Sequence, residues 1–86
     1  QGMLFGFGQP FPVTMWMKGC LMPLDMLFVK QQRIQAILHN LPPCQGEPCP
    51  YYHSQEPVDG VLELPGGTAK RLNLKPGQMV SANTHS

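Results

Sequence analysis

The sequence predicts a small, mainly β domain, and three observations lead there. Ten Pro and nine Gly in 86 residues cut the chain into pieces too short for long helices. Several pieces, Val13-Thr14-Met15-Trp16-Met17 among them, carry the β-branched and aromatic residues that suit a pleated, half-buried strand. Apolar residues make up 42% of the chain, enough for a single core, and the length allows one domain and not two. A domain this small buries only about 60% of the surface its unfolded chain exposes, so a crosslink or other staple is expected.

The elements follow in order. Gly2 to Phe7 is short, aromatic and apolar and reads as a strand, bulged at a glycine. Gln9-Pro10-Phe11-Pro12 is a turn or extended link, and Val13 to Met17 is a second strand closed by Lys18-Gly19. Leu24 to Val29 is a continuous apolar run after a proline, which suits a strand buried on both faces. The next segment is a conflict: Ile34, Ile37, Leu38 and Leu41 fit the i, i+3, i+4, i+7 spacing of an amphipathic helix, and alternation of Ile34, Ala36 and Leu38 fits a strand less cleanly. Residues 42–60 hold five prolines and no periodicity and read as one long loop. Val61-Leu62-Glu63-Leu64 is a short strand, followed by a Pro65-Gly66-Gly67 turn. Thr68 can cap a short helix over Ala69 to Leu72, with Asn73 ending it in a left-handed conformation. Pro76-Gly77 fits the centre of a type II turn. Gln78 to Ala82 is a last strand, so the domain runs over 1–82, with 83–86 as a disordered tail.

Charge narrows the function classes. Net charge is +1, and Lys18, Lys30, Arg33, Lys70, Arg71 and Lys75 are scattered, so the clustered phosphate contacts of nucleic-acid binding are not expected. No apolar run approaches the roughly 18 residues that cross a bilayer, because Leu21 to Val29 is broken by Pro23 and Asp25. The chain opens on Gln rather than Met, so a preceding segment that could carry an export signal is expected.

Several blocks together resemble a known family. Gly2-Met3-Leu4-Phe5, Trp16-Met17-Lys18, Pro23-Leu24-Asp25 with Phe28, Val61-Leu62-Glu63-Leu64, Gly66-Gly67, and Leu72-Asn73-Leu74-Lys75-Pro76-Gly77-Gln78-Met79-Val80 are similar to the signature of the domain of unknown function 192 family. They span nearly the whole chain in the family's order. Pro43-Cys44 to Cys49-Pro50-Tyr51 resembles a loop version associated with cyanobacterial members. The resemblance implies a small barrel-like folded sheet with one or two short helices, and a hairpin at Phe28 to Ile34 that overrides the helical spacing. It also implies an export or lipoprotein signal ahead of the domain, hence a periplasmic or secreted location. The family's biochemical function is not established. Three departures stand out: the family's usual first strand does not precede Gly2-Met3-Leu4-Phe5 here, so either the chain is trimmed or a sheet edge is left open to a second copy; Gly19 replaces a frequent Asn; and Gln32 replaces a turn Gly although Gln tolerates positive φ poorly.

Four constellations could carry chemistry. Trp16 and Lys18 share one face of their strand, and with Asp25 they would make a small-ligand platform of indole, cation and carboxylate; the plainer reading makes Trp16 core, Lys18 solvated and Asp25 a turn cap. Glu63 could join Asp25 as an acid/base pair of a hydrolase-like enzyme, or simply face solvent. His39, Cys44, Cys49 and His53 have the ligand types of a zinc site in a non-standard spacing, whereas Cys44 and Cys49 could form a disulfide or stay free thiols. Cys20, Ser54 and Ser81 lie in no nucleophile motif, and Cys20 reads as a small buried hydrophobe. The six methionines read as core fillers. The best expectation is an exported, non-catalytic binding or accessory domain with no cofactor, using Trp16, Lys18, Asp25 and Glu63 to hold a small molecule.

Overall fold

The computed structural model describes residues 3–80. Six strands and one short helix follow each other as β1 (Met3–Phe11), β2 (Thr14–Trp16), β3 (Leu24–Lys30), β4 (Arg33–Leu41), β5 (Tyr51–His53), β6 (Val58–Pro65) and α1 (Thr68–Arg71). A four-stranded antiparallel sheet has the order β1-β6-β3-β4, and β2 and β5 form a separate antiparallel pair. The fold is mainly β, as the sequence indicates, and the two sheets enclose a core without closing into a barrel.

β3 is buried along Asp25 to Val29 because both faces of the sheet are covered. Phe28 and Val61 turn to one face and pack with Val13 and Val58, under Met15 of the small sheet. Leu27, Val29 and Ile34 turn to the other and pack with Ala69 of α1, Leu74 and Val80. Met17 and Met26 are fully buried, as fillers should be, whereas Met22 and Met79 are exposed.

The hairpin that the family resemblance implies is present: β3 and β4 pair across Gln31-Gln32, and the helical spacing of Ile34 to Leu41 lies on a strand. Gln31 and Gln32 take φ of 53° and 65°, so the turn is left-handed at both central positions, the conformation hairpin twist prefers and side chains resist. The glycine bulge of β1 falls between Gly6 and Phe11, where Gly8 has φ of 83°.

Five readings need correction. The loop over 42–60 is interrupted by β5, which the surrounding prolines hide in the sequence, and β6 starts at Val58 rather than at Val61. Thr68 does not cap α1: the N-cap position is Gly67, with no side-chain cap of its own. The strand over Gln78 to Ala82 reduces to a bridge of Met79 to Arg33 among the described residues, and Ala82 lies outside them. Cys20 is a half-buried free thiol rather than a core residue. Asn73 does end the helix left-handed, at φ 59°, and Gly77 supplies the positive φ of the Pro76-Gly77 turn. The 83–86 tail lies outside the described residues.

Candidate functional site

The four residues singled out in the sequence separate into three environments. Alternation along β2 sends Met15 and Met17 inward and leaves Thr14, Trp16 and Lys18 outward. Trp16 is 40% exposed, so it is not core. Its strand partner is Tyr51, 59% exposed. The two rings stack at 7° with centroids 5.4 Å apart. The Lys18 ammonium sits 5.0 Å from the indole centroid, a cation–π contact, and pairs with the Glu47 carboxylate. At the other end His53 tilts 6.5 Å from Tyr51, and its Nδ1 lies 3.0 Å from the Thr14 hydroxyl. A cation, two aromatic rings and an imidazole thus form one outward strip on β2 and β5.

That strip is held from below and behind. Tyr52 turns inward opposite Met15, and the Ser54 amide and hydroxyl both bond to Val13, the amide donating to its carbonyl and the hydroxyl accepting from its N–H. A Cys44–Cys49 disulfide closes the loop just before β5, and Cys44 bridges to Lys18 through the backbone. Of the three readings of the cysteines, the disulfide is the one present. It removes both thiolates from any metal set, while His39 lies on exposed β4 and His53 is engaged with Thr14. Among the described residues no cluster of His, Cys, Asp or Glu is placed to hold a metal ion.

Asp25 belongs elsewhere. It is fully buried on the helix side of the sheet. Its Oδ1 accepts the Asn40 N–H at 2.7 Å and the Gly67 N–H at 3.1 Å, and its Oδ2 accepts the Ala69 N–H at 2.8 Å. It therefore serves as the missing cap of α1 from a distant strand, and also ties in the end of β4. Burial would push its carboxyl up; the N–H groups of Ala69, Asn40 and Gly67, with His39 nearby, outweigh that and hold it below its usual 3.8. Gly66 completes the junction, since a Cβ there would stand 2.4 Å from the Asn40 amide oxygen and 3.0 Å from Pro23.

Glu63 lies on the opposite face. The register sets Asp25 against Leu64 and Met26 against Glu63, so the two carboxylates point away from each other across the sheet. Their convergence as an acid/base pair is thereby corrected: a one-residue offset on paired strands puts them on different sides. Glu63 is half-buried beside fully buried Met26, and desolvation raises its carboxyl above 4.5. A cleft of about 220 Å³ opens elsewhere on that face, with Phe28, Ala36 and Val58 as floor and Gln35, Ser54 and Glu56 at its rim.

The family model for DUF192, described as an uncharacterized ACR, matches residues 1–82. The chain belongs to the DUF192 family. No curated protein matches it. Among solved structures, this DUF192 domain is similar to a Sinorhizobium meliloti 1021 protein provisionally named a transcription regulator, with 48% identity and a TM-score of 0.82 over 91% of this chain and 59% of that one. It is also similar to a protein of unknown function from Novosphingobium aromaticivorans DSM 12444, with 35% identity and a TM-score of 0.85 over 94% of this chain and 56% of that one. The chain thus spans less than two thirds of either relative. Among the described residues no helix is long and apolar enough to cross a membrane.

Sequence reading of this domain missed Thr14, Glu47 and Tyr51. The available signal was Tyr51-Tyr52-His53, a β-prone triplet with polar ends. Pro42, Pro43, Pro48, Pro50 and Pro57 around it concealed the strand. Glu47 could not be found from spacing, because a folded loop alone brings it to Lys18.

Proposed function

We propose that this DUF192 domain is an exported, non-catalytic binding or accessory module whose ligand surface is the strip of Trp16, Lys18 and Tyr51. The observation that carries this reading is a half-exposed tryptophan stacked on Tyr51 and contacted by Lys18 rather than buried. Large aromatics in small domains are normally buried, as Phe28 is, whereas Trp16 stays at the surface while Met17, Met26 and Leu27 fill the core beside Phe28. The carboxylate paired with Lys18 is Glu47, in place of Asp25 or Glu63. The Cys44–Cys49 disulfide favours an oxidising compartment, periplasmic or secreted.

A regulatory role on nucleic acid, suggested only by the name of the Sinorhizobium relative, gains no support from the charges. Lys18 is paired with Glu47, and the Arg33 guanidinium donates to the Gly77 carbonyl. β1 and β4 are the outer strands of the four-stranded sheet, and a second copy would pair along such an edge.

The test is a native mass spectrum of protein purified from the periplasm or medium without chelator or reductant. A mass two protons below the reduced chain, with a co-purified small molecule absent from the Trp16→Ala protein, is the expected result. An adduct retained equally by Trp16→Ala, or a fully reduced chain, would sink the proposal.

A further inference from the structure

The cleft between β4 and the link from β5 to β6 is lined by none of Trp16, Lys18 and Tyr51, so it is a separate site from the strip. We propose that it holds a small organic cation, a primary ammonium group carried on a short apolar chain.

The cleft owes its shape to an irregularity in β4. Phe28 pairs with Ala36 and Val29 with Ile34, which leaves Gln35 as an extra residue. On a regular strand, neighbours point to opposite faces. Here Gln35 and Ala36 both line the cleft, because a bulge re-aims a side chain. The facing wall is Ser54, Gln55 and Glu56. Two hydrogen bonds fix Ser54 to Val13, and Pro57 narrows the backbone choices of Glu56 before it. Both walls are therefore set before any ligand arrives, so little ordering is lost on binding.

Unspent acceptors choose the head of the ligand. Asp25 takes three backbone donors, Glu47 takes Lys18, and Asp59 accepts the Gln31 N–H. Glu56 has no hydrogen-bond or ion-pair partner, and it is the one charged group among the described residues that line the cleft. The amides of Gln35 and Gln55 are equally unpartnered, so each offers a carbonyl oxygen. The Ser54 hydroxyl accepts one N–H and keeps a second lone pair. An ammonium group brings three donors and no acceptor, which matches a carboxylate among neutral oxygens.

The floor chooses the body. Half-buried Ala36 packs against fully buried Phe28 and Val58, so the floor presents carbon alone and suits methylene groups. At about 220 Å³ the cleft lies below the roughly 300–1,000 Å³ of drug-sized sites, so the chain is short. An anion would meet Glu56. A metal ion would need several ligating side chains, and no such cluster occurs among the described residues. Glu56 and Gln55 are exposed, so the attraction is screened and should weaken with salt.

The experiment is a titration of the oxidised, nitrogen-15-labelled protein, followed by amide proton–nitrogen correlation spectra. The probes are hexylammonium, 1-hexanol and hexanoate, which share a chain and differ in charge. Expected are saturable shifts with hexylammonium, centred on the amides of Gln35, Ala36, Ser54, Gln55 and Glu56. Affinity should fall roughly threefold or more for 1-hexanol, for added salt and for Glu56→Gln, the size expected of one exposed ion pair. Hexanoate should give no saturable shift. Glu56 is exposed, so Glu56→Gln should keep the parent spectrum elsewhere, which separates loss of the charge from loss of the fold. Equal affinity for the amine and the alcohol, or an unchanged amine affinity in Glu56→Gln, would overturn the ligand class. No saturable shift at these amides, or shifts at Trp16 and Tyr51 alone, would overturn the site and leave the role proposed for the strip to its own test.

Discussion

The two sides of the central sheet treat their polar and aromatic residues in opposite ways. On the helix side a carboxylate, Asp25, is taken fully out of water and given three backbone donors, from Asn40, Gly67 and Ala69. On the far sheet two large rings, Trp16 and Tyr51, are left in water although they could have filled a core. The first arrangement is what structure requires, since a buried charge persists only when its lone pairs are satisfied. The second leaves apolar area in water and recovers only part of it through the stack and the Lys18 contact. The difference separates two roles for polar and aromatic residues: the satisfied buried charge ties the helix to the sheet, and the stacked exposed rings are the surface on which the proposed binding role rests.

The largest effect that would break this comparison comes from Asp25. Asp25→Ala strands three N–H groups, the buried one of Ala69 among them, and should cost roughly 3–5 kcal/mol, a large share of the stability of any domain this size. A urea midpoint equal to that of the parent protein would refute the structural role. The pH dependence has a definite sign. Asp25 has a folded value below its unfolded 3.8, so its contribution is complete above that pH and is lost as the pH falls through the folded value. Acid unfolding should therefore set in below about pH 4.

A smaller effect tests the other side. Opening the Cys44–Cys49 loop by reduction, or as Cys44→Ser with Cys49→Ser, should cost about 2 kcal/mol for a loop this short. The loss should be local: Trp16 emission should shift to the red as Tyr51 loosens, while amide exchange in the β3–β4 hairpin stays unchanged. Equal loosening of both regions would show that the two sheets do not hold themselves independently.

The smallest effect sharpens the contrast between the two carboxylates. Desolvation raises Glu63 above 4.5, so its penalty is present at neutral pH and is relieved as the pH falls. Glu63→Gln should raise the thermal midpoint slightly at pH 7 and leave it unchanged near pH 4. A lowered midpoint at pH 7 would mean that the carboxylate has a stabilising partner.

Much of the fold was legible in the sequence, for physical reasons that particular residues illustrate. The buried run Leu24 to Val29, the left-handed Asn73 and the Pro76-Gly77 turn follow from local propensity. The hairpin over Gln31-Gln32 does not. Its residues favour helix, and the family resemblance was needed to overrule a spacing that tertiary burial reassigns to a strand. The site was legible only in part. Trp16 and Lys18 share a face by simple alternation, and that survives. Their carboxylate partner was not legible, because Glu47 arrives through a loop whose path no periodicity encodes. Asp25 was misplaced for a related reason: its partners lie 15 to 44 residues further on, and backbone N–H groups leave no trace in a sequence.

The strand order bears on how the chain reaches this state. β6 lies between β1 and β3, with Val61 facing Phe5 on one side and Phe28 on the other, yet it is the last of the described strands in chain order. The β3–β4 hairpin, closed by two residues, can form within microseconds of its synthesis. β1 must wait through nearly the whole chain for the strand that pairs with it, and such distant pairing is slow. A nascent domain therefore presents two unmatched strand edges, β1 and β3, until residue 65 is free to move. Once seated, β6 is bonded along both edges, as β3 is, and the amides of these two strands should exchange with solvent last.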